Sequence, residues 1–585
     1  MDRPVAFLVA VSLVILSAFV VAKIVPVGER EAGPKIFEEI DEIVMLVKDN
    51  GDVEGWARLS LPRSELSDFM GMLTRSVGED VLKEDYESSW RSSFAMLGTT
   101  VGSIEMDIDA AENFTLFIRW TSPQVARWEN GMWVLEMAWV DPEQAAAEIL
   151  DSILTSWLTV SSIAKEYGYV GCVMRVSSVT RTILPEWAEN VWCNALGDGE
   201  YFEYGRGSYS RSRFQLEREN GRFVLVESSE EVLDTRHVIE AGVENILENN
   251  VPLVLRYSGP EPGVDFDRLL SRVRIDLKFG RARDRYDLTG GGAGSLTLGQ
   301  ILYNVSLFLL GGESGFSPVF VPLEIQGEEI GDWDSVKVEL HRENLLSLAS
   351  EIAGLAGTGK IPASLQTAWG RMRYRDVLYT FLRLIEDGRD SVVFLPVPEG
   401  NLVWMGENVS AKVAYYLLPD SYVITGTPGV RAVLDNLTAT GLRELAEEIC
   451  NWTGSNIRYS LSFRPPTSEE VLENRSGQCR DYSNVYLAVA RTAGLPARRV
   501  NGWVESGWNP PAGWGFGATT TPDGVRVILH AWVQVYVPGE GWLDVEPQSR
   551  RPDLYVGELP YRVYVGLEQS WTEAIADYEA AGGRL

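Results

Sequence analysis

The sequence predicts a multidomain α+β protein, and three observations carry that reading. The chain has 585 residues, several times the usual size of one domain. Strand-forming runs closed by Asn-Gly turns alternate with helix-periodic runs in its N-terminal half. Between about 440 and 550 a helix and three strands follow one another, punctuated by Gly and Pro. A composition of 45% hydrophobic and 23% charged residues is that of a globular protein able to bury real cores. We read five segments: an apolar leader at 1–25, a strand-rich α+β region at 30–250, a mixed α/β region at 251–430, a compact domain at 435–565, and a C-terminal helix or tail at 566–585.

The leader reads PVAFLVAVSLVILSAFVVA from Pro4 to Ala22, flanked by Arg3 and Lys23. That is enough apolar chain to cross a bilayer as a helix. It also has the length of a signal-peptide core, with Val20-Val21-Ala22 as a small-residue cleavage site. The expectation is a single-pass membrane protein with its bulk outside the cytoplasm, or a secreted one if the segment is cleaved. Six Asn-x-Ser/Thr sequons (Asn113, Asn304, Asn408, Asn436, Asn451 and Asn474) accord with export. The net charge of −31 argues against nucleic acid as a partner, since phosphate would meet a surface of its own sign. Cys172 and Cys193 lie in one strand-rich stretch and read either as a disulfide or as two small buried apolar residues.

Along the N-terminal region, Ile36–Lys48 (IFEEIDEIVMLVK) has helical apolar spacing. RWENGMWVLE (Arg127–Glu136) and ERENGRFVLVE (Glu217–Glu227) predict two hairpins, because Asn-Gly suits the positive φ angles of a type I′ turn. Each precedes an acidic helix-like run, which raises the possibility of a duplicated α+β unit. In the next region GLAGTGK (Gly354–Lys360) has the spacing of a phosphate loop. A working loop needs a strand before it and Ser or Thr after the Lys. Here a helix precedes and Ile361-Pro362 follows, so a glycine helix stop explains it.

The chemistry lies further on. Leu442, Leu445 and Ile449 share one face of a helix, and Ile457–Phe463 is an extended run. A second helix opens near Cys479 and stops at Gly494-Leu495-Pro496. Arg498–Trp503 is a strand, VRVILHAWVQVYV with His530 is another, and WLDVEP is a third. A Cys at a helix N-terminus meets the positive end of the dipole, which favours thiolate. The same N–H groups can steady an oxyanion. A His on a neighbouring strand can pair with the sulfur, and a carboxylate one strand further can hold the ring. The other two His, His237 and His341, have no Cys pattern beside them.

These residues resemble the transglutaminase-like superfamily. The resemblance rests on Gly477, Cys479, Asp481, Tyr482 and Ser483 at the helix start, Gly494, Leu495, Pro496 and Arg498 at its stop, His530-Ala531-Trp532, and Gly541-Trp542 before a terminal acid. It covers about a fifth of the chain. It implies a papain-like α+β core and a triad of Cys479, His530 and an acid, with no metal or other cofactor at the centre. The family pattern ends in Asp-Pro, where this chain has Glu546-Pro547, so register favours Glu546; Asp544 on the same strand face is the alternative. Asp481 reads as a cap for the helix rather than a reacting group, and Cys450 as a core residue. Trp508, Trp514 and Phe516, in the loop before the His530 strand, are candidates to line a substrate cleft.

The expectation is therefore a membrane-anchored thiol hydrolase acting on peptide or amide bonds of a protein or peptide at the cell surface. The alternatives are an acyltransferase with the same triad, including a protein-crosslinking one, and a catalytically silent binding scaffold. The N-terminal region can also be read as a receptor that gates the enzyme.

Overall fold

The computed structural model describes residues 35–583 except 111–112, 130, 167–170, 238–242, 249–251, 261–265, 288–294, 312–318, 330, 334–337, 356–357, 368, 389–390, 395–400, 405–406, 461–464, 506–517, 522–523 and 550–554. The predicted leader lies outside these residues. Among the described residues no helix is long and apolar enough to cross a membrane. The chain is mixed α and β throughout, with a strand-rich N-terminal part.

Lys35–Val47 is a strand, not the helix its apolar spacing predicts. It pairs antiparallel with Val53–Leu61 and parallel with Cys172–Ile183. Its true period is two: Phe37, Ile43, Met45 and Val47 point inward and are buried, while Ile36 and Ile40 stand outward and are half exposed. The inward row includes Glu39 and Asp41, so acids on the buried face and isoleucines on the open one disguised the alternation. Burial pushes both carboxyls well above the usual range, and each is raised further by neighbouring carboxylates.

That strand sits in an eight-stranded sheet. The order is Ile104–Asp109, Phe114–Ser122, Val53–Leu61, Lys35–Val47, Cys172–Ile183, Arg222–Asp234, Ser208–Glu219 and Gly197–Gly205. Helices Glu65–Val77, Glu79–Met96 and Pro142–Glu166 contribute Phe69, Trp90 and Ile149 to the core on its buried face. The strands flanking both Asn-Gly pairs are hydrogen-bonded to each other, and Asn220 and Gly221 take the positive φ angles a type I′ turn requires (50° and 87°). The first hairpin belongs to a separate four-stranded sheet and the second to the eight-stranded one. Cys172 and Cys193 are buried on strands of different sheets, and burial lifts the Cys172 thiol to about 12.

The second core is continuous from Leu269 to Ile575. It joins helices Phe266–Lys278, Leu298–Gly311, Arg342–Leu355 and Tyr374–Asp387 to helices Leu442–Asn456 and Cys479–Thr492. Described residues of both 251–430 and 435–565 thus contribute to one core. The helix Arg342–Leu355 takes in the first two residues of the Gly-rich stretch, and a strand, Lys360–Pro362, follows at its end. Strands Ala518–Thr520, Arg526–Val537, Ala497–Glu505 and Val563–Glu568 form the C-terminal sheet, and Gly541–Val545 pairs with Arg526–Val537. The final helix, Trp571–Ala580, leaves this sheet and packs on Glu79–Met96, where Ser88 hydrogen-bonds Asp577.

Candidate active site

The Cys479–Thr492 helix is buried on nearly every side. Val485, Tyr486, Leu487, Ala488, Val489 and Ala490 are all shut off from solvent, because the helix is clasped by Leu442–Asn456, by Ser468–Asn474 and by the C-terminal sheet. Tyr482 and Tyr486 bury their rings and satisfy their hydroxyls on the Ile457 and Ala446 carbonyls. Packing on so many sides fixes the axis, and with it the place of the first helical residue. That residue is Cys479.

Asp481 closes the helix start. Its carboxylate accepts the Gln478 backbone N–H at 2.9 Å, as its predicted capping role requires, while Arg480 stands 3.4 Å from its other oxygen. Burial raises the Asp481 pKa despite these partners. One turn on, Ser483 Oγ lies 3.1 Å from the Cys479 carbonyl and 3.4 Å from that of Ala531. This ties the Cys479 helix to the strand next to His530.

His530 is 1% exposed. Its Nε2 lies 2.7 Å from Glu546 Oε2, and Cys479 is near enough to the same ring to act on its charge. With Nε2 taken by Glu546, Nδ1 is the ring nitrogen left for the thiol. Burial alone would push the imidazole down; the Glu546 charge and the contact with Cys479 outweigh it and raise the ring to about 10. Glu546 is equally buried. Its Oε2 also accepts the Tyr561 hydroxyl at 2.6 Å, and its Oε1 accepts the Gln548 N–H at 3.0 Å. The Cys450 thiol donates to the Glu546 carbonyl at 3.3 Å, so that core cysteine braces the acid's backbone.

Asp544 has other work. It accepts Trp532 Nε1 at 3.1 Å and Gln534 Nε2 at 3.0 Å, two residues on the same face of the His530 strand. Arg498, from the helix-stop motif, bonds Gln534, pairs with Glu568 and stacks 4.3 Å from the Trp542 ring. The structure therefore brings Cys479, His530 and Glu546 together and gives Asp544 a bracing position. Trp508, Trp514 and Phe516 lie outside the described residues. Tyr561 escaped the sequence reading: a tyrosine between Pro560 and Arg562, 15 residues beyond its partner, follows no spacing rule. Among the described residues no three His, Cys, Asp or Glu side chains gather as a metal site.

Comparison with known proteins places this arrangement. Residues 431–547 match the family model described as the transglutaminase-like superfamily. The C-terminal part of the chain carries a transglutaminase-like domain. A stretch of 157 residues, 25% of this chain, is 28% identical to a protein-glutamine gamma-glutamyltransferase of Pseudomonas aeruginosa. A stretch of 92 residues, 16% of this chain, is 35% identical to the uncharacterized protein YebA of Bacillus subtilis. These matches span 21% and 12% of the two relatives' own lengths. A solved structure from Cytophaga hutchinsonii aligns over 64% of this chain and 75% of its own, with 9% identity and a TM-score of 0.21, too low to establish a common architecture. Members of this superfamily are cysteine-dependent acyltransferases or hydrolases, and the transglutaminase-like domain ends at the Glu546-Pro547 step.

Proposed function

We propose that the transglutaminase-like domain is a thiol enzyme that cleaves peptide or amide bonds through an acyl-thioester. The observation that carries this is the buried His530–Glu546 hydrogen bond on a ring that also feels Cys479, the first residue of the neighbouring helix. In this reading the Cys479 sulfur adds to the substrate carbonyl carbon. Collapse of the adduct breaks the C–N bond, and His530 delivers its proton to the departing amine. Water then attacks the thioester, giving its proton to His530, and releases a carboxylic acid and the free thiol. Glu546 holds the imidazole in the one tautomer that faces sulfur and balances the charge of the imidazolium. The N–H groups at the start of the Cys479 helix are positioned to receive the oxyanion.

Transfer to an amine in place of water is the second reading, favoured by the activity named for the Pseudomonas relative. The acylation half is the same for both; only the acceptor differs. We further propose that the enzyme acts outside the cytoplasm, held at the membrane by Pro4–Ala22 if that segment is retained. Its substrates are then proteins or peptides at the cell surface.

The test uses the full chain, glutamine-containing peptides, and mass spectrometry with and without a primary amine. Peptide cleavage or deamidation supports hydrolysis, and an amine adduct supports transfer. Products identical in wild type and Cys479→Ala would contradict both.

A further inference from the structure

Glu546 is the acid nearest His530, and a glutamate brings a difficulty with it. Its side chain has one more rotatable bond than aspartate, so a backbone fixed by the sheet does not by itself fix the carboxylate. Something must hold Oε2 against the ring. The Gln548 N–H takes Oε1 at 3.0 Å, which leaves the carboxylate free to pivot about that oxygen.

Tyr561 removes the pivot. Its hydroxyl donates to Oε2 at 2.6 Å, the same oxygen that meets His530 Nε2 at 2.7 Å. The Tyr561 ring stands edge-on to the imidazole, at 87° with centroids 5.3 Å apart, and also meets Trp532 edge-on at 6.3 Å. The tyrosine is itself held by a small apolar cluster of Val500, Val504, Ile528 and Trp532, next to the strand Val563–Glu568 that pairs with Ala497–Glu505. Burial, then the neighbouring Glu546 charge, pushes the phenol up, so it remains a donor. Trp532 is in turn anchored through its indole N–H on Asp544.

We infer that Tyr561 is a positioning residue: it pins the Glu546 carboxylate to His530 and so maintains the pairing of His530 with Cys479. It acts through the acid. The inference rests on the thiol-enzyme reading above, and its test separates the two.

The experiment measures iodoacetamide alkylation of Cys479 in the full chain at pH 6 and pH 9, with the site located by peptide mass spectrometry. In Tyr561→Phe the pH 6 rate should fall about tenfold, the effect of losing one hydrogen bond to a charged group. The pH 9 rate should stay within about twofold, because a general loosening would alter both. Glu546→Asp, too short to meet Tyr561, should show the same fall, and adding Tyr561→Phe to it should change little. A pH 6 rate in Tyr561→Phe equal to wild type, or effects that simply add, overturns the pinning role while leaving the thiol enzyme intact. Slow labelling of wild type itself at pH 6 overturns both. If Tyr561→Phe does not fold, the wild-type chain still answers: the Tyr561 hydroxyl proton should give a low-field, slowly exchanging NMR signal, and rapid exchange with solvent overturns the inference.

Discussion

His530 Nε2 lies 2.7 Å from Glu546 Oε2, while Asp544, two residues earlier on the same strand face, accepts hydrogen bonds from Trp532 and Gln534. The two acids are therefore unequal. Glu546→Gln should reduce turnover by on the order of a thousandfold or more, by misplacing the proton on the ring. Asp544→Asn retains an acceptor for the indole and should cost less than about tenfold. Equal losses, measured as kcat on any substrate found, would return Asp544 to the triad.

The charge on His530 also has a signature in stability. Its folded pKa of about 10 lies above the ordinary ~6.5 of an unfolded histidine. The stabilisation this supplies is fully present below the unfolded value, declines as pH rises between the two, and is lost through the folded value. The melting temperature of wild type minus that of His530→Gln should accordingly be largest near pH 6 and shrink toward pH 10. A difference that grows with pH would contradict the imidazolium assignment.

A second titration sits at the back of the domain. Asp151, on the Pro142–Glu166 helix, is raised to about 7 by burial and by the nearby Glu568 charge. It borders a cavity of about 240 Å³ with Glu148, Tyr416, Arg498 and Trp542. A carboxyl raised in the folded state favours folding when protonated and disfavours it when ionised. Asp151→Asn should therefore leave melting unchanged below about pH 4, raise it progressively as pH climbs toward 7, and raise it by about 2–4 °C at pH 8. Destabilisation at pH 8 would show that the carboxylate has a partner it depends on.

How far the sequence could be read follows from these same residues. The Cys479 helix, its Gly494 stop and the strands of His530 and Glu546 were legible, because each is bounded by a turn residue and has an uninterrupted period. Glu546 over Asp544 was legible from the following Pro547. Tyr561 was not, since a contact between a loop and a strand end leaves no periodic trace. Lys35–Val47 was misread because Glu39 and Asp41 occupy inward positions where apolar residues mark a strand. The packing of residues 251–430 onto the transglutaminase-like domain was invisible too, because core continuity is a property of surfaces that meet only in three dimensions.

The central claim is that the pairing with His530 holds Cys479 as an activated nucleophile. The most direct measurement is the rate of Cys479 alkylation by iodoacetamide from pH 5 to 10 in the full chain, beside His530→Ala. Cys479 is half-buried, whereas the other three cysteines are buried, so brief labelling reports on it first. The account predicts fast labelling in wild type well below the ~8.5 of a free thiol, and loss of that low-pH reactivity in His530→Ala. Slow labelling in both, rising together only near that value, would contradict it and leave a transglutaminase-like fold serving as a binding scaffold.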